Sequence, residues 1–169
     1  MTFLLDEALT LKSIPRAGWL RVGIDQPESV AAHSWGICWL IVAHAPKGVD
    51  TERALKIAVV HDLAEVRTGD ITPHDGISKT DKGRLEDTAA RAMFSGREDL
   101  FELWQEYEQN TTPEARLVHD CDKLDMGLQA LHYAKRTGVD ASEFIQSARA
   151  NIGNEELLRV LDEAVANLA

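Results

Sequence analysis

The chain has 169 residues, of which 44% are hydrophobic and 27% are charged, and these values are typical of a globular protein with a buried core. We therefore expect one domain over residues 1–169. The formal net charge of −10, without a cluster of Lys and Arg, argues against a nucleic-acid polymer as the partner, because a phosphate backbone needs clustered cations. The longest apolar run, 35–43, is far too short to cross a membrane.

Cysteine usage and the N-terminal residues bear on the compartment. Cys38 and Cys121 are far apart and neither belongs to a C-x-x-C pair, which argues against a disulfide framework and a thiolate zinc site. The segment MTFLLDEALTLK has an acidic residue at position 6, no basic start and no small-residue cleavage site, so it does not resemble a signal peptide. These features predict a soluble, reduced, cytoplasmic protein.

Helical spacing of apolar residues runs through nearly the whole chain. A first amphipathic helix is expected to stop at Pro15, and the Gly- and Pro-containing segment 16–29 is predicted to be a loop. A second helix is predicted from Glu28 to Ala45, and Asp50-Thr51 offers an N-cap for a third that runs to about Val66. A turn-rich loop follows over 68–76. Further helices are predicted over 78–95, 97–109, 113–136, 140–151 and 154–168.

The predicted third helix contains two polar residues in apolar surroundings, within the sequence IAVVHDLAEVRTGD at 57–70. Because apolar residues cover every face of this helix around His61 and Asp62, we expect it to be central in the fold. A buried carboxylate needs a cation, and one metal ion would serve the imidazole and the carboxylate together. His61 and Asp62 are therefore the first candidates for metal ligands.

Further ligands should come from helices that cross this one. His33 lies at the polar start of the second helix, and the helix over 113–136 offers carboxylates at Asp120, Asp122 and Asp125, among which helical geometry alone does not choose. Two other His-Asp pairs occur in the chain. The pair at 74–75 follows a proline and is typical of a solvated turn, and the pair at 119–120 belongs to the carboxylate-bearing helix. Trp35 and Trp39, four residues apart on an apolar helix, are predicted to be core residues.

Three blocks of the sequence carry a resemblance to a known family: Pro15–Trp19, Gln26–His33 and Val60–Ile71. They resemble the R-x-G-W, P-E-S-V-x-x-H and H-D-x-x-E-x-x-x-G-D-I blocks of the HD-domain metal phosphohydrolases, in order and at the family spacing. The nearest branch is that of the 5′-deoxynucleotidases, which includes the YfbR-type enzymes and the HD domain-containing protein 2 group. The likeness extends from about residue 10 to about residue 135.

The resemblance implies an all-α fold, an HD-domain helical bundle of about seven to eight helices. It also implies one divalent metal ion held by His33, His61, Asp62 and a fourth ligand at Asp122, with Asp125 as the alternative. This mixed set of nitrogen and oxygen ligands does not select one metal, and Mn, Co, Fe, Ni, Mg or Zn would fit. The family further implies a homodimer.

Catalytic and substrate-binding residues follow partly from position and partly from the resemblance. Glu65 lies four residues after His61, hence on the same helical face, where a carboxylate can activate water or protonate a leaving oxygen. The resemblance adds Asp70 beside the substrate sugar and the reacting water. It also assigns Arg16 to the phosphate, which a guanidinium fork matches, and Trp19 to the sugar.

These residues predict an enzyme, a phosphomonoesterase that hydrolyses deoxyribonucleoside 5′-monophosphates to a deoxynucleoside and phosphate. Two alternatives remain open at this point. One is another HD reaction, on a nucleoside triphosphate or a cyclic nucleotide, which in a two-metal form would use additional histidines such as His74 and His119. The other is a helical bundle that binds metal without hydrolysis, and such a protein would have no need of Glu65 beside the ligands.

Overall fold

The computed structural model describes residues 2–167 as an assembly of α-helices, which confirms the predicted all-α class. Eight helices have eight or more residues and two are shorter, in agreement with the predicted seven to eight principal helices. Within these residues the only extended pairing is a single bridge between Pro15 and Ser29. The helices are α1 Thr2–Leu9, α2 Ala17–Arg21, α3 Val30–His44, α4 Thr51–Val60, α5 Glu65–Thr68, α6 Lys79–Met93, α7 Glu98–Gln109, α8 Pro113–Thr137, α9 Ser142–Asn151 and α10 Glu155–Ala166.

Helix ends follow the local chemistry of the sequence. Asp50 caps α4, since its side chain accepts a 3.0 Å hydrogen bond from the backbone N–H of Arg53. Pro113 opens α8, and Gly138, with φ of +75°, ends it in the left-handed conformation that glycine adopts without strain. The last helix ends at Ala166, and position 168 of the predicted 154–168 helix lies outside the described residues.

Helix α8 is the centre of the fold and packs against α3, α4, α9 and α10. The main core forms where α3, α4 and α8 meet, and it includes Ile41, Ile57 and Leu124, all fully buried. A smaller apolar cluster beside α8 contains Trp19 and Tyr133. No helix within residues 2–167 is long and apolar enough to span a membrane. The three central helices bring the polar residues singled out in the sequence to one end of the core.

The prediction of one continuous helix from 51 to about Val66 was wrong. Helix α4 ends at Val60, residues 61–64 form turns, and α5 begins at Glu65. The turns are held by hydrogen bonds between residues three apart, such as Leu63 N–H to Val60 O at 3.1 Å. A side chain contributes to the break, because His61 Nδ1 lies 2.8 Å from the Ala58 carbonyl oxygen. Bonds of this kind compete with the regular helical pattern.

The prediction that Trp35 and Trp39 are core residues was also wrong. Their exposed fractions are 70% and 58%, and Val42 on the same face of α3 is exposed as well. The opposite face carries the buried residues Ile37 and Ile41. Because α3 is apolar on all sides, spacing alone did not indicate which face packs inward.

Two smaller differences concern single positions and a short segment. Helix α4 contributes to the main core as expected, but its apolar residue Val59 is 57% exposed. The segment 16–29, expected to be a loop, contains the five-residue helix α2.

Candidate active site

The start of α3 and the end of α4 bring two histidines and an aspartate together. His33, His61 and Asp62 each offer one ligand atom, and these atoms all lie within 4.8 Å of one another. The two imidazole rings are buried, with centroids 6.1 Å apart. The structure therefore brings together three of the four predicted metal ligands as one group.

His61 is held in a defined tautomer. Its Nδ1 lies 2.8 Å from the Ala58 carbonyl oxygen, which can only accept, so Nδ1 carries the hydrogen. The other ring nitrogen, Nε2, is buried and has no hydrogen-bond partner, although Asp62 Oδ2 lies 3.1 Å away. A lone pair at a buried, unpartnered nitrogen is the arrangement expected of a metal ligand.

His33 contacts two carboxylates of α8 through its two ring nitrogens. Nε2 lies 2.9 Å from Asp122 Oδ1, and Nδ1 lies 2.7 Å from Asp125 Oδ2. Burial and the Arg16 charge oppose the charged imidazole, yet the hydrogen bonds to both carboxylates raise the pKa of His33 to about 9. His33 therefore carries a proton on each nitrogen here, and one of them is the proton that a metal ion would replace.

Asp122 contacts His33 through Nε2 and lines the same cavity as His61 and Asp62. Its side chain is buried, and its Oδ2 accepts a 2.8 Å hydrogen bond from Lys123 Nζ. Burial opposes ionisation, but Lys123 and His33 hold the pKa of Asp122 well below its usual range. Asp125, which the sequence left as the alternative fourth ligand, contacts the opposite nitrogen of His33.

These residues fit a divalent metal ion. The donors are two imidazole nitrogens and carboxylate oxygens, a set that suits several first-row metals and Mg²⁺. Several of these donors lie in a buried region where anions need a cation, and one nitrogen, His61 Nε2, has no other partner. His33, His61, Asp62 and Asp122 are therefore the residues that would hold the ion.

Glu65 is the first residue of α5, and its side chain is buried beside this group. Its Oε2 has no hydrogen-bond partner. Burial, reinforced by the charges of Asp62 and Asp70, raises the pKa of Glu65 to about 10. A carboxyl group of this kind is protonated at neutral pH and is available for proton transfer.

Arg16 and Asp70 come from the loops that flank α2 and α5. Arg16 Nη1 lies 3.8 Å from Asp70 Oδ1 and 4.0 Å from Asp62 Oδ2. Asp70 Oδ2 also accepts a 2.7 Å hydrogen bond from the backbone N–H of Ala17, so it anchors the start of α2. Although burial opposes it, the charges of Asp70 and Asp62 raise the pKa of Arg16. A cation is thus held permanently at the edge of the candidate metal site.

Trp19 is a buried residue that packs against neighbouring side chains and also borders the site. It is only 2% exposed, and its indole N–H donates a 3.0 Å hydrogen bond to Glu28 Oε1. Its ring packs against Phe144, with centroids 4.2 Å apart, and against Tyr133. Trp19 is also part of the wall of the cavity.

A cavity of about 420 Å³ opens onto the group, large enough for a nucleotide-sized ligand. Its wall includes three cations that sequence reasoning missed, Arg21, Lys82 and Lys123. Lys82 Nζ donates a 3.0 Å hydrogen bond to the Ile71 carbonyl and lies 3.4 Å from Glu86. The spacing of Lys82 and Glu86 indicates only a helical ion pair, so the sequence carried no signal for the cavity. The wall also contains most of the predicted site residues: Arg16, Trp19, His61, Asp62, Glu65, Asp70 and Asp122.

The histidines available for a two-metal site lie apart from the His33–His61–Asp62 group. His119 stacks on Tyr107 at a centroid distance of 4.0 Å, and its Nε2 donates a 2.9 Å hydrogen bond to the Tyr107 carbonyl. Tyr107 in turn lies between His119 and His61, whose ring is 4.9 Å from it. His74 is exposed at the cavity wall. Neither histidine is a member of a candidate metal group in the described residues.

The chain is similar in sequence and in structure to several known proteins. The sequence profile of the HD domain matches residues 8–160. The chain is 41% identical to 5′-deoxynucleotidase hdd1 of Schizosaccharomyces pombe over 83% of this chain and 76% of the relative. It is 38% identical to 5′-deoxynucleotidase HDDC2 of Danio rerio, over 89% and 79% of the two chains. A crystal structure of a Pyrococcus horikoshii OT3 protein superposes with a TM-score of 0.84 at 35% identity, over 99% and 98% of the chains.

Proposed function

The chain belongs to the HD domain family, and on that basis we propose that it is a metal-dependent 5′-deoxynucleotidase. It hydrolyses deoxyribonucleoside 5′-monophosphates to a deoxynucleoside and phosphate. The observation that carries this proposal is the unpartnered, buried Glu65 carboxyl beside the His33–His61–Asp62 group, in the wall of one cavity with Arg16. Relatives that are 41% and 38% identical to this chain over the aligned residues are named for the same activity.

One divalent ion is proposed, held by His33, His61, Asp62 and Asp122. When bound, such an ion supplies Lewis-acid catalysis, since it neutralises charge on phosphoryl oxygens and makes water a stronger nucleophile. The protein prepares for it by holding His61 Nδ1 on the Ala58 carbonyl, which leaves Nε2 free. The donor types accept Mn, Co, Fe, Ni, Mg or Zn.

Arg16 binds the phosphate of the substrate in this proposal. Its guanidinium lies within 4.0 Å of both Asp62 and Asp70, so it is oriented before the substrate arrives. The fork of N–H donors matches two phosphate oxygens. Lys82 and Lys123 add positive charge to the wall of the cavity. Trp19 and Asp70 contact the sugar and keep it in register with the phosphate.

Proton transfer is assigned to Glu65. In the hydrolysis, the oxygen of water forms a bond to phosphorus while the bond between phosphorus and the 5′-oxygen breaks. The protonated Glu65 carboxyl gives its proton to the departing 5′-oxygen, which leaves as the deoxynucleoside hydroxyl, and the resulting carboxylate takes up the proton lost by the water. The buried position of Glu65 and its lack of another partner support this assignment.

A panel of nucleotides tests the proposal. Purified protein is incubated with Mn²⁺ or Co²⁺ and each of a deoxynucleoside monophosphate, a ribonucleoside monophosphate, the di- and triphosphates and a cyclic nucleotide, and phosphate release is measured. Release from the deoxynucleoside monophosphate is expected to be fastest. Preferred turnover of a triphosphate or a cyclic nucleotide would replace this substrate with another HD reaction. No turnover of any nucleotide by metal-loaded protein would leave only a metal-binding bundle and reject the proposal.

We further propose that the enzyme is a homodimer that forms through the outer face of α3, defined by Trp35, Trp39 and Val42. These apolar side chains are largely exposed, and no Asp, Glu, Lys or Arg occurs anywhere in α3. A neutral apolar face is notable on a chain with a net charge of −10, because net charge opposes association elsewhere on the surface. Light scattering is expected to give twice the mass of one chain.

A cytoplasmic location also belongs to this proposal. Cys38 and Cys121 are free thiols in the structure, which suits a reducing compartment. The proposed substrate is a small anionic metabolite, and neither a nucleic-acid polymer nor a membrane is proposed as a partner. Fluorescence microscopy of the tagged full chain in its host tests the location.

A further inference from the structure

A glycine in the middle of α3 marks an unusually close approach between two helices. Gly36 occupies the seventh position of a 15-residue helix, where only proline is a poorer choice. A Cβ atom at this position would overlap Asp125 Oδ1 of α8 and lie 2.8 Å from Asp125 Cγ. The Asp125 carboxylate therefore fills the space that any side chain at position 36 would need.

This close approach brings Asp125 to the back of a candidate metal ligand. Asp125 Oδ2 lies 2.7 Å from His33 Nδ1, while the other nitrogen of the same ring, Nε2, faces Asp122 at 2.9 Å. The imidazole is completely buried, so water does not compete for either nitrogen. An imidazole that binds a metal through one nitrogen carries its hydrogen on the other, and a carboxylate acceptor there fixes the ring and makes it a stronger ligand.

We propose that Asp125 is a positioning residue that holds His33 with its hydrogen on Nδ1 and its Nε2 lone pair directed at the divalent ion. Gly36 is the residue that makes this contact possible. The inference rests on the metal site of the proposed function and adds two residues to it, neither of which touches the ion or the substrate. Asp122 and Asp125, three residues apart on α8, thus have different tasks on the two sides of one imidazole.

A competing arrangement would place an ion on the Nδ1 side of the ring. Glu28, His33 and Asp125 also offer ligand atoms within 4.8 Å of one another. Glu28 Oε1, however, already accepts the indole N–H of Trp19 at 3.0 Å. The cavity wall includes His61, Asp62 and Asp122 but neither Glu28 nor Asp125 among the described residues. An ion on the Nδ1 side would therefore be held by two carboxylates that do not line the cavity where the substrate is proposed to bind.

Metal binding by variants at position 125 is the first test. Calorimetric titration with Mn²⁺ is expected to give one ion per wild-type chain and a Kd about 10- to 100-fold weaker for Asp125→Ala. Asp125→Asn keeps an oxygen that can accept the Nδ1 hydrogen, so it should recover most of the affinity. Asp122→Ala, which removes a proposed ligand, should bind the ion more weakly than either variant. Circular dichroism checks that each variant is folded.

The glycine offers a second test that leaves Asp125 in place. Gly36→Ala improves helix propensity but displaces the Asp125 carboxylate, and we expect about tenfold weaker Mn²⁺ binding. The matched control is Gly83→Ala in α6, where an added Cβ meets nothing within 4 Å and the affinity should not change. In the double variant Gly36→Ala/Asp125→Ala, the losses should not add, because the glycine acts only through Asp125.

The tautomer of His33 provides a signature that a general loss of structure would not reproduce. With Zn²⁺ bound, nitrogen-detected NMR of the wild type should show the hydrogen on Nδ1, and Asp125→Ala should show a mixture of ring states.

Unchanged Mn²⁺ affinity in both Asp125→Ala and Gly36→Ala overturns the inference. So does a stoichiometry of two ions that falls to one in Asp125→Ala. Complete loss of the ion in Asp125→Ala, with its retention in Asp122→Ala, overturns it by making Asp125 the ligand. Each of these results differs from failure of the proposed function, which appears as a wild-type protein that binds the ion and hydrolyses no nucleotide.

Discussion

The two faces of α3 are unusual in opposite ways, because the inner face carries a buried polar residue and the outer face carries exposed apolar residues. Inside the bundle, the helix places His33 against Asp122 and Asp125 in a region with almost no access to water. Outside, it presents Trp35 and Trp39, which are mostly exposed. A buried polar group and a large exposed apolar group are the informative exceptions in a folded protein. The inner face indicates a cation to be bound, and the outer face indicates a surface to be covered.

The largest effect is expected on the inner face, from removal of a ligand. His61→Ala deletes the unpartnered Nε2, so we expect loss of the stoichiometric ion and a fall in kcat/KM of about a thousandfold or more, because a metal contributes several kcal/mol to phosphoryl transfer. Metal content by mass spectrometry and phosphate release measure the two effects. The control is His132→Ala, an exposed histidine of α8. If His61→Ala kept both the ion and the turnover, the interpretation that the buried polar residues bind a catalytic cation would be wrong.

The variant Glu65→Gln should lower turnover without weakening metal binding. The amide has the same shape but cannot exchange a proton, so kcat should fall by about 10²- to 10⁴-fold while Mn²⁺ affinity stays close to that of the wild type. Steady-state kinetics and calorimetry on the same sample give both values. Glu102→Gln, at an exposed position of α7, should change neither value. Wild-type kcat in Glu65→Gln would remove this residue from the mechanism.

Two adjacent residues of α3, one on each face, allow us to compare what the two faces contribute to the free energy of unfolding. Ile41 is fully buried and Val42 is 61% exposed. Ile41→Ala should lower the free energy of unfolding by about 2–5 kcal/mol, because it leaves a cavity in the core. Val42→Ala should change it by about 0.5 kcal/mol or less in dilute protein, where any dimer is dissociated. Urea denaturation followed by circular dichroism measures both, and equal losses would mean that the outer face is packed within one chain.

The smallest effect on the chemistry, and the clearest effect on assembly, is expected on the outer face. The double variant Trp35→Ser/Trp39→Ser removes most of the exposed aromatic surface, so light scattering should report a monomer. Its metal affinity should match the wild type, because neither residue contacts the ligand group. A wild-type chain that is already monomeric, or a variant that remains dimeric, would reject the proposed interface.

Much of the fold could be predicted because helix boundaries are encoded locally. Asp50, Pro113 and Gly138 each act within one turn of the chain. Asp50 caps α4 and α8 begins at Pro113, both as predicted, and α8 ends at Thr137, one residue beyond the predicted end. The orientation of α3 could not be predicted in the same way, because its composition has no polar side. Only the packing of α4 and α8 against Ile37 and Ile41 decides which tryptophans face outward.

The candidate site was predictable where a residue type conflicts with its surroundings. His61 and Asp62 stood out because imidazole and carboxylate groups lie in an apolar segment, and the structure brings them together with His33. The different positions of Asp122 and Asp125 depend on which side of His33 each carboxylate reaches, and this depends on the packing of α8 against α3. Lys82 was missed because a lysine on a polar helix carries no local signal of a cavity wall.

The hydrogen bond from His61 to the Ala58 carbonyl also restricts how the enzyme can be re-engineered. One ring nitrogen supports the backbone where α4 ends, and the other, which is buried and has no hydrogen-bond partner, is the proposed ligand atom. Cysteine or aspartate at this position could supply a ligand atom but not the donor that the carbonyl requires. A change of metal preference by exchange of this ligand would therefore unsettle the chain around it, so selectivity is better altered through Asp62 or Asp122.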